Sequence, residues 1–110
     1  MPYNIELADK LRAALADIPH VVEQQKMGGV SFMIGGKMCI RAHANHGLML
    51  RCEPSMTEEL LARKGAKRLE MKNKPQMNGW LVIDPEGIKT QKDLDFWLHI
   101  ALGYNSKIKK

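Results

Sequence analysis

Cys39, Arg41 and His43 fall at alternate positions in the run from Lys37 to His43, and His46 follows just beyond it. Alternate residues of a strand share a face. A thiol with an arginine and a histidine along its own face is how a protein lowers a cysteine pKa for nucleophilic or redox work. Cys39, His43 and His46 are also metal-ligating types. Both readings stop short. No acid is placed to orient His43, as a catalytic triad needs, and no fourth ligand completes a zinc site. The plainer reading is a small, half-buried thiol on a hairpin with two solvated histidines. No catalytic set, metal, cofactor or small-molecule substrate is expected. His20 and His99 stand alone, and Asp84 with Glu86 reads as a strand end and a turn. Gly28-Gly29 and Gly35-Gly36 fit no GxxxxGK[ST] phosphate loop and read as turns or bulges.

A second cluster is cationic. Arg63, Lys64, Lys67, Arg68, Lys72 and Lys74 have only Glu70 among them, in a chain of net charge +5, and Lys107, Lys109 and Lys110 add a basic end. Such a cluster can hold phosphates. The alternative is a solvated helix end and an edge strand guarded by lysines. The chain's six aromatic residues are not interleaved with the cluster, which weakens single-strand nucleic-acid binding, where bases need stacking platforms.

These residues sit on a chain of 110 residues, the size of one domain with one core. No apolar run approaches the ~18–20 residues of a membrane span. The N-terminus lacks the basic and apolar regions of a signal peptide, so a cytoplasmic location is expected and a structural disulfide is not.

The pattern predicts a helix over 4–18 with Asn4 as N-cap; Leu7, Leu11, Ala14, Leu15 and Ile18 make its apolar face, and Pro19 stops it. Val21 to Met27 reads as an edge strand. Val30 to Ile34, Lys37 to His43 and Leu48 to Cys52 follow as an antiparallel meander. A three-residue loop ending at Gly47 pairs Ala42 with Leu50 and Ile40 with Cys52. Met38, Ile40, Ala42, Leu48, Leu50 and Cys52 then share one face, and Cys39, Arg41, His43, Met49 and Arg51 the other. The Gly35-Gly36 turn sets Phe32 opposite Cys39 if it has two residues, or opposite Met38 if three.

Ser55 to Glu58 reads as a capping box opening a helix that runs to Lys64, with Gly65 as its C-terminal cap. Ala66 to Met71 reads as a strand with Leu69 and Met71 inward and Arg68 and Glu70 outward. Gly79 to Asp84 is apolar enough for a central, well-covered strand. A last helix from Thr90 buries Leu94, Trp97, Leu98, Ala101 and Leu102. Residues 105–110 read as a basic tail after a domain of residues 1–104. The order α-β-β-β-β-α-β-β-α predicts a two-layer α+β fold with helices on one face of an antiparallel sheet.

Met27-Gly28-Gly29, Phe32-Met33, Lys37-Met38-Cys39, Leu48-Met49-Leu50-Arg51, Met77-Asn78-Gly79-Trp80 and Asp84-Pro85-Glu86-Gly87 occur in an order and spacing that resembles the TfoX/Sxy N-terminal domain family over essentially the whole chain. Lys26 and Asn78 depart from the residues usual there, and the loop around Pro75 is one residue short. The resemblance implies the same two-layer α+β fold. It also implies kinship with bacterial regulators of competence genes, whose second domain would begin where this sequence ends. It carries no catalytic residue set.

The expectation is a small non-catalytic regulatory or protein-interaction module, acting through a protein partner or a homodimer. The alternative is a nucleic-acid-binding accessory protein using residues 63–74. An enzyme dependent on Cys39 ranks last.

Overall fold

Helix α1 (Ile5–Ala14) begins at Asn4, whose side-chain oxygen accepts the Leu7 N–H at 3.2 Å, and buries Leu7, Ala8 and Leu11. The computed structural model describes residues 4–26, 28–43, 47–68 and 79–108. In chain order follow β1 (Val21–Lys26), β2 (Gly29–Ile34), β3 (Lys37–Ala42), β4 (Leu48–Arg51), α2 (Thr57–Leu61), β5 (Ala66–Arg68), β6 (Trp80–Ile83) and α3 (Gln91–Ile108). Short 3-10 turns, Pro54–Met56 and Pro85–Ile88, precede α2 and α3.

The six strands form one antiparallel sheet in the order β1-β2-β3-β4-β6-β5. Val30, Phe32, Ile34, Ile40, Ala42, Leu48, Leu50, Leu81 and Ile83 build the floor of a single core. Leu7, Leu11 and Leu15 from the α1 segment, Leu60 from α2, and Leu94, Trp97, Leu98 and Ala101 from α3 close it. The three helices among the described residues therefore lie on one face, the expected α+β arrangement, and β1 is an edge strand.

The register departs from expectation in two places. Ile40 pairs with Leu50 and Ala42 with Leu48, two residues from the expected pairing. A shift of two keeps every side chain on its face, so the inward set survives for these residues. The Gly35-Gly36 turn has two residues, since Ile34 pairs with Lys37. Phe32 nevertheless faces Ile40, because Cys39 is an extra residue between the Met33–Met38 and Phe32–Ile40 pairs. A bulge of this kind inverts the alternation beyond it. Met38 thus shares Met33's outer register, and Cys39 joins the core at 1% exposure, the reverse of the expected split.

Four further expectations fail locally. The first helix ends at Ala14 rather than running to Ile18, and Ala14 is exposed. The Ser55 capping box does not form: the residue before α2 makes no side-chain cap, and Ser55 is exposed. Pro54 opens a 3-10 turn instead, and the helix is only Thr57–Leu61. In β5 Arg68 pairs with core-facing Leu81 and Lys67 with Val82, so Arg68 lies on the helix side and Lys67 on the other; Leu69 to Met71 lie outside the described residues. The expected tail is helix through Ile108, and Asn105 in it is buried, its side-chain amide donating to the Ile34 carbonyl at 3.3 Å.

Candidate functional site

Of the residues that sequence reasoning singled out for chemistry, the face opposite the helices carries Arg41 but not Cys39. Register places Val22, Met33 and Met38 in one row across β1, β2 and β3. The next row runs Gln24, Ser31, Arg41, Met49, Val82 and Lys67 across all six strands. Arg51 and Trp80 pair beyond it, near the sheet's end. Met33, Met38, Met49, Val82 and Trp80 are half-buried, and Val22 is 54% exposed.

Arg41 is buried in this face at 5% exposure. Its Nη1 donates to Ser31 Oγ at 2.8 Å and its Nε to His43 Nδ1 at 3.2 Å. Gly29 makes room for it: a Cβ there would stand 2.7 Å from Arg41 Nη2 and 2.5 Å from the Ala42 carbonyl oxygen. Burial holds the Arg41 pKa down, and burial followed by the Arg41 charge holds His43 below its ordinary 6.5. His43 is therefore the neutral acceptor of the Arg41 bond.

Cys39 does not join them. Desolvation in the core pushes its pKa up to about 12, opposite to the shift a nucleophile needs. Cys52 is likewise buried and raised, mainly by burial, and both thiols are free. His46 lies outside the described residues. Among those described, no group of three metal-ligating side chains converges.

The cationic cluster is dispersed by the fold. Lys67 on the outer face pairs with Asp84 at 2.9 Å, and Arg68 on the helix side pairs with Glu58. Arg63 lies over the Phe96 ring at 3.6 Å from its centroid. The cleft beside Arg63 and Lys64, about 320 Å³, is also lined by Glu86 and Asp93. Lys72 and Lys74 lie outside the described residues.

The family model described as the TfoX N-terminal domain matches residues 13–104. The chain belongs to the TfoX N-terminal domain family. Among curated proteins none matches it. A crystal structure of a protein from Pseudomonas syringae is similar in fold, with a TM-score of 0.59 at 10% identity, over 84% of this chain and 93% of that one. No described helix is long and apolar enough to cross a membrane.

In this TfoX N-terminal domain most of the motif residues serve architecture. Phe32 is core. Gly79 is held by a latch: Thr57 Oγ1 accepts the Gly79 N–H at 2.8 Å and donates to the Pro54 carbonyl at 2.9 Å, with Cys52 Sγ 4.0 Å away. Asp84-Pro85-Glu86-Gly87 folds as a turn in which Gly87 N–H reaches the Asp84 carbonyl at 2.8 Å and Trp97 Nε1 donates to the Gly87 carbonyl at 3.3 Å. Gly87 also abuts Gly65; a Cβ on Gly87 would come within 2.6 Å of the Lys64 carbonyl oxygen. Gly28, at φ 78°, turns the chain into β2.

Arg51 and Trp80 are left over. The Arg51 guanidinium carbon lies 4.8 Å from the Trp80 ring centroid and 5.6 Å from that of Tyr104 on α3. Its Nε is sealed from solvent with no hydrogen-bond partner. Sequence reasoning missed Tyr104 and Thr57. Tyr104 falls where the sequence pattern ends the last helix, and Thr57 is interior to the Ser55–Glu58 capping-box pattern.

Proposed function

We propose that this domain is a non-catalytic protein-docking module that binds another protein chain on the sheet face opposite its helices. One observation carries the reading: Val22, Met33 and Met38 form an apolar row across three adjacent strands, continued by Met49, Val82 and Trp80, on the face where no described helix lies. Half-buried apolar side chains gathered on one sheet face, with Val22 exposed among them, suit an interaction site, and methionine repacks readily against a partner. The burial and raised pKa of Cys39 speak against the enzyme reading, and the ion pairs of Lys67 and Arg68 against a phosphate-binding cluster. A regulatory role for that docking is proposed on the resemblance to competence regulators alone.

The test is a photo-crosslinking amino acid placed at Val22 and, separately, at the exposed Lys92 of α3, with sedimentation velocity over a concentration series. Crosslinks to one specific chain from Val22 and not from Lys92, lost in a Met33→Lys, Met49→Lys variant that still folds, are expected. A second copy of the domain is the first partner to test, and sedimentation reads it directly. A monomer whose crosslinks do not differ between the two positions would overturn the proposal.

A further inference from the structure

Arg51 has two features that burial alone does not explain. Its guanidinium lies against the rings of Trp80 and Tyr104, at 4.8 and 5.6 Å from their centroids, and its Nε is shut off from water with no acceptor. Among the described residues no carboxylate is bonded to it. Glu53, the nearest acid in sequence, is taken by Lys107 at 2.7 Å. A buried donor without an acceptor is an unrelieved cost in the free domain and calls for an explanation. The two rings flank the guanidinium and restrict it, which removes part of the ordering cost of binding to it. Nε is closed to a ligand as it is to water, so in this partly exposed side chain a carboxylate would meet the two Nη groups end-on, a planar fork that matches it in two parallel hydrogen bonds.

We infer that Arg51, held by Trp80 and Tyr104, is the receptor for a single carboxylate presented by the bound partner. The local charge selects the ion. Arg51 brings one positive charge, and among the described residues the neighbouring Glu53 is already neutralised by Lys107, which suits a carboxylate monoanion better than a phosphate dianion. Arg, Trp and Tyr are also the residue types that dominate binding hot spots. This rests on the docking reading for the source of the carboxylate, an acidic side chain or a chain terminus. The receptor itself can be tested without any partner.

The experiment is a titration of the ¹⁵N-labelled full chain with potassium acetate, potassium phosphate and potassium chloride at matched ionic strength, following the arginine Nε–H resonances by NMR. Acetate is expected to shift the Arg51 resonance saturably, with chloride leaving it in place and phosphate binding no tighter than acetate. Arg51→Lys keeps the charge but loses the fork, and should abolish the saturable response. Tyr104→Leu, which leaves Arg51 in place, should weaken it several-fold. Absence of a saturable acetate shift in the unmodified chain overturns the receptor whether or not either variant folds. Phosphate binding tenfold tighter than acetate overturns the choice of ion. Saturable acetate binding with no crosslink at Val22 would leave the receptor standing while removing the docking reading.

Discussion

Thr57 shows how one hydroxyl can hold a domain's connections together. It is 1% exposed, accepts the Gly79 N–H and donates to the Pro54 carbonyl, so it joins the start of α2 to the strand entry before Trp80. Thr57→Val keeps the shape and leaves the Gly79 N–H buried without an acceptor, a loss of about 1–3 kcal/mol. Thr57→Ser keeps the acceptor and should recover most of it; urea midpoints of the three proteins measure the difference. His43 gives a pH signature. Its folded-state pKa is held below 6.5 by burial and by Arg41, so the unfolded chain takes up the proton first. The stability His43 contributes is then complete above pH ~6.5 and falls as pH drops below it. Between pH 7.5 and 5.5 the urea midpoint of the unmodified domain should drop more than that of His43→Gln. Cys39 supplies the third test at this scale. A pKa near 12 against an ordinary 9.0 leaves roughly a thousandfold less thiolate at neutral pH. Native-state alkylation of Cys39, followed by mass spectrometry, should therefore be very slow until denaturant is added; fast labelling of the folded protein would revive a reactive-thiol role.

At the level of elements the sequence was legible where a pattern is local and repeated. The Asn4 cap, Leu94, Trp97, Leu98 and Ala101 of the α3 stripe and the alternation in β4 follow from local pattern, and the structure keeps them; of the stripe predicted over 4–18 it buries Leu7, Leu11 and Leu15, while the helix ends at an exposed Ala14. It was not legible where one residue changes the count. Nothing in Lys37-Met38-Cys39-Ile40 announces that Cys39 is a bulge, because an apolar residue satisfies the pattern in either register. Ser55 and Glu58 satisfy the capping-box pattern, yet Pro54 diverts the chain into a 3-10 turn. The end of α3 reads as tail in the sequence because Gly103 marks a helix end and chain termini are commonly loose, but Asn105 finds a tertiary acceptor in the Ile34 carbonyl and Lys107 finds Glu53. The consequence is testable. A chain ending at Gly103 loses the Asn105 hydrogen bond, worth about 0.5–1.5 kcal/mol, together with the contact of Tyr104 on Arg51. It should melt below the full chain, whereas a chain ending at Ile108 should melt with it.

Across the whole molecule, composition invited a nucleic-acid reading that the fold distributes over two faces and several partners. Charge matters for phosphate binding only where it is free and gathered. Six free cations on one surface would give a log–log salt slope of about −5 with duplex DNA, at roughly 0.9 per phosphate contacted. Here Lys67 is committed to Asp84 on the outer face and Arg68 to Glu58 on the helix side, and the cleft beside Lys64 carries two acids of its own. The expected behaviour is weak binding confined to low salt, with a slope clearly shallower than −5 and no difference between sequences. Anisotropy of a labelled duplex across a salt series measures it, for the unmodified domain and for a variant with Lys64, Lys67, Arg68, Lys72 and Lys74 changed to glutamine. Lys67→Gln and Arg68→Gln also release Asp84 and Glu58, so the variant should lose even the low-salt binding. Binding that persists near 0.15 M salt with a slope close to −5 would mean that the ion pairs open on contact with phosphate. The basic cluster, rather than the apolar sheet face, would then be the working surface of the domain.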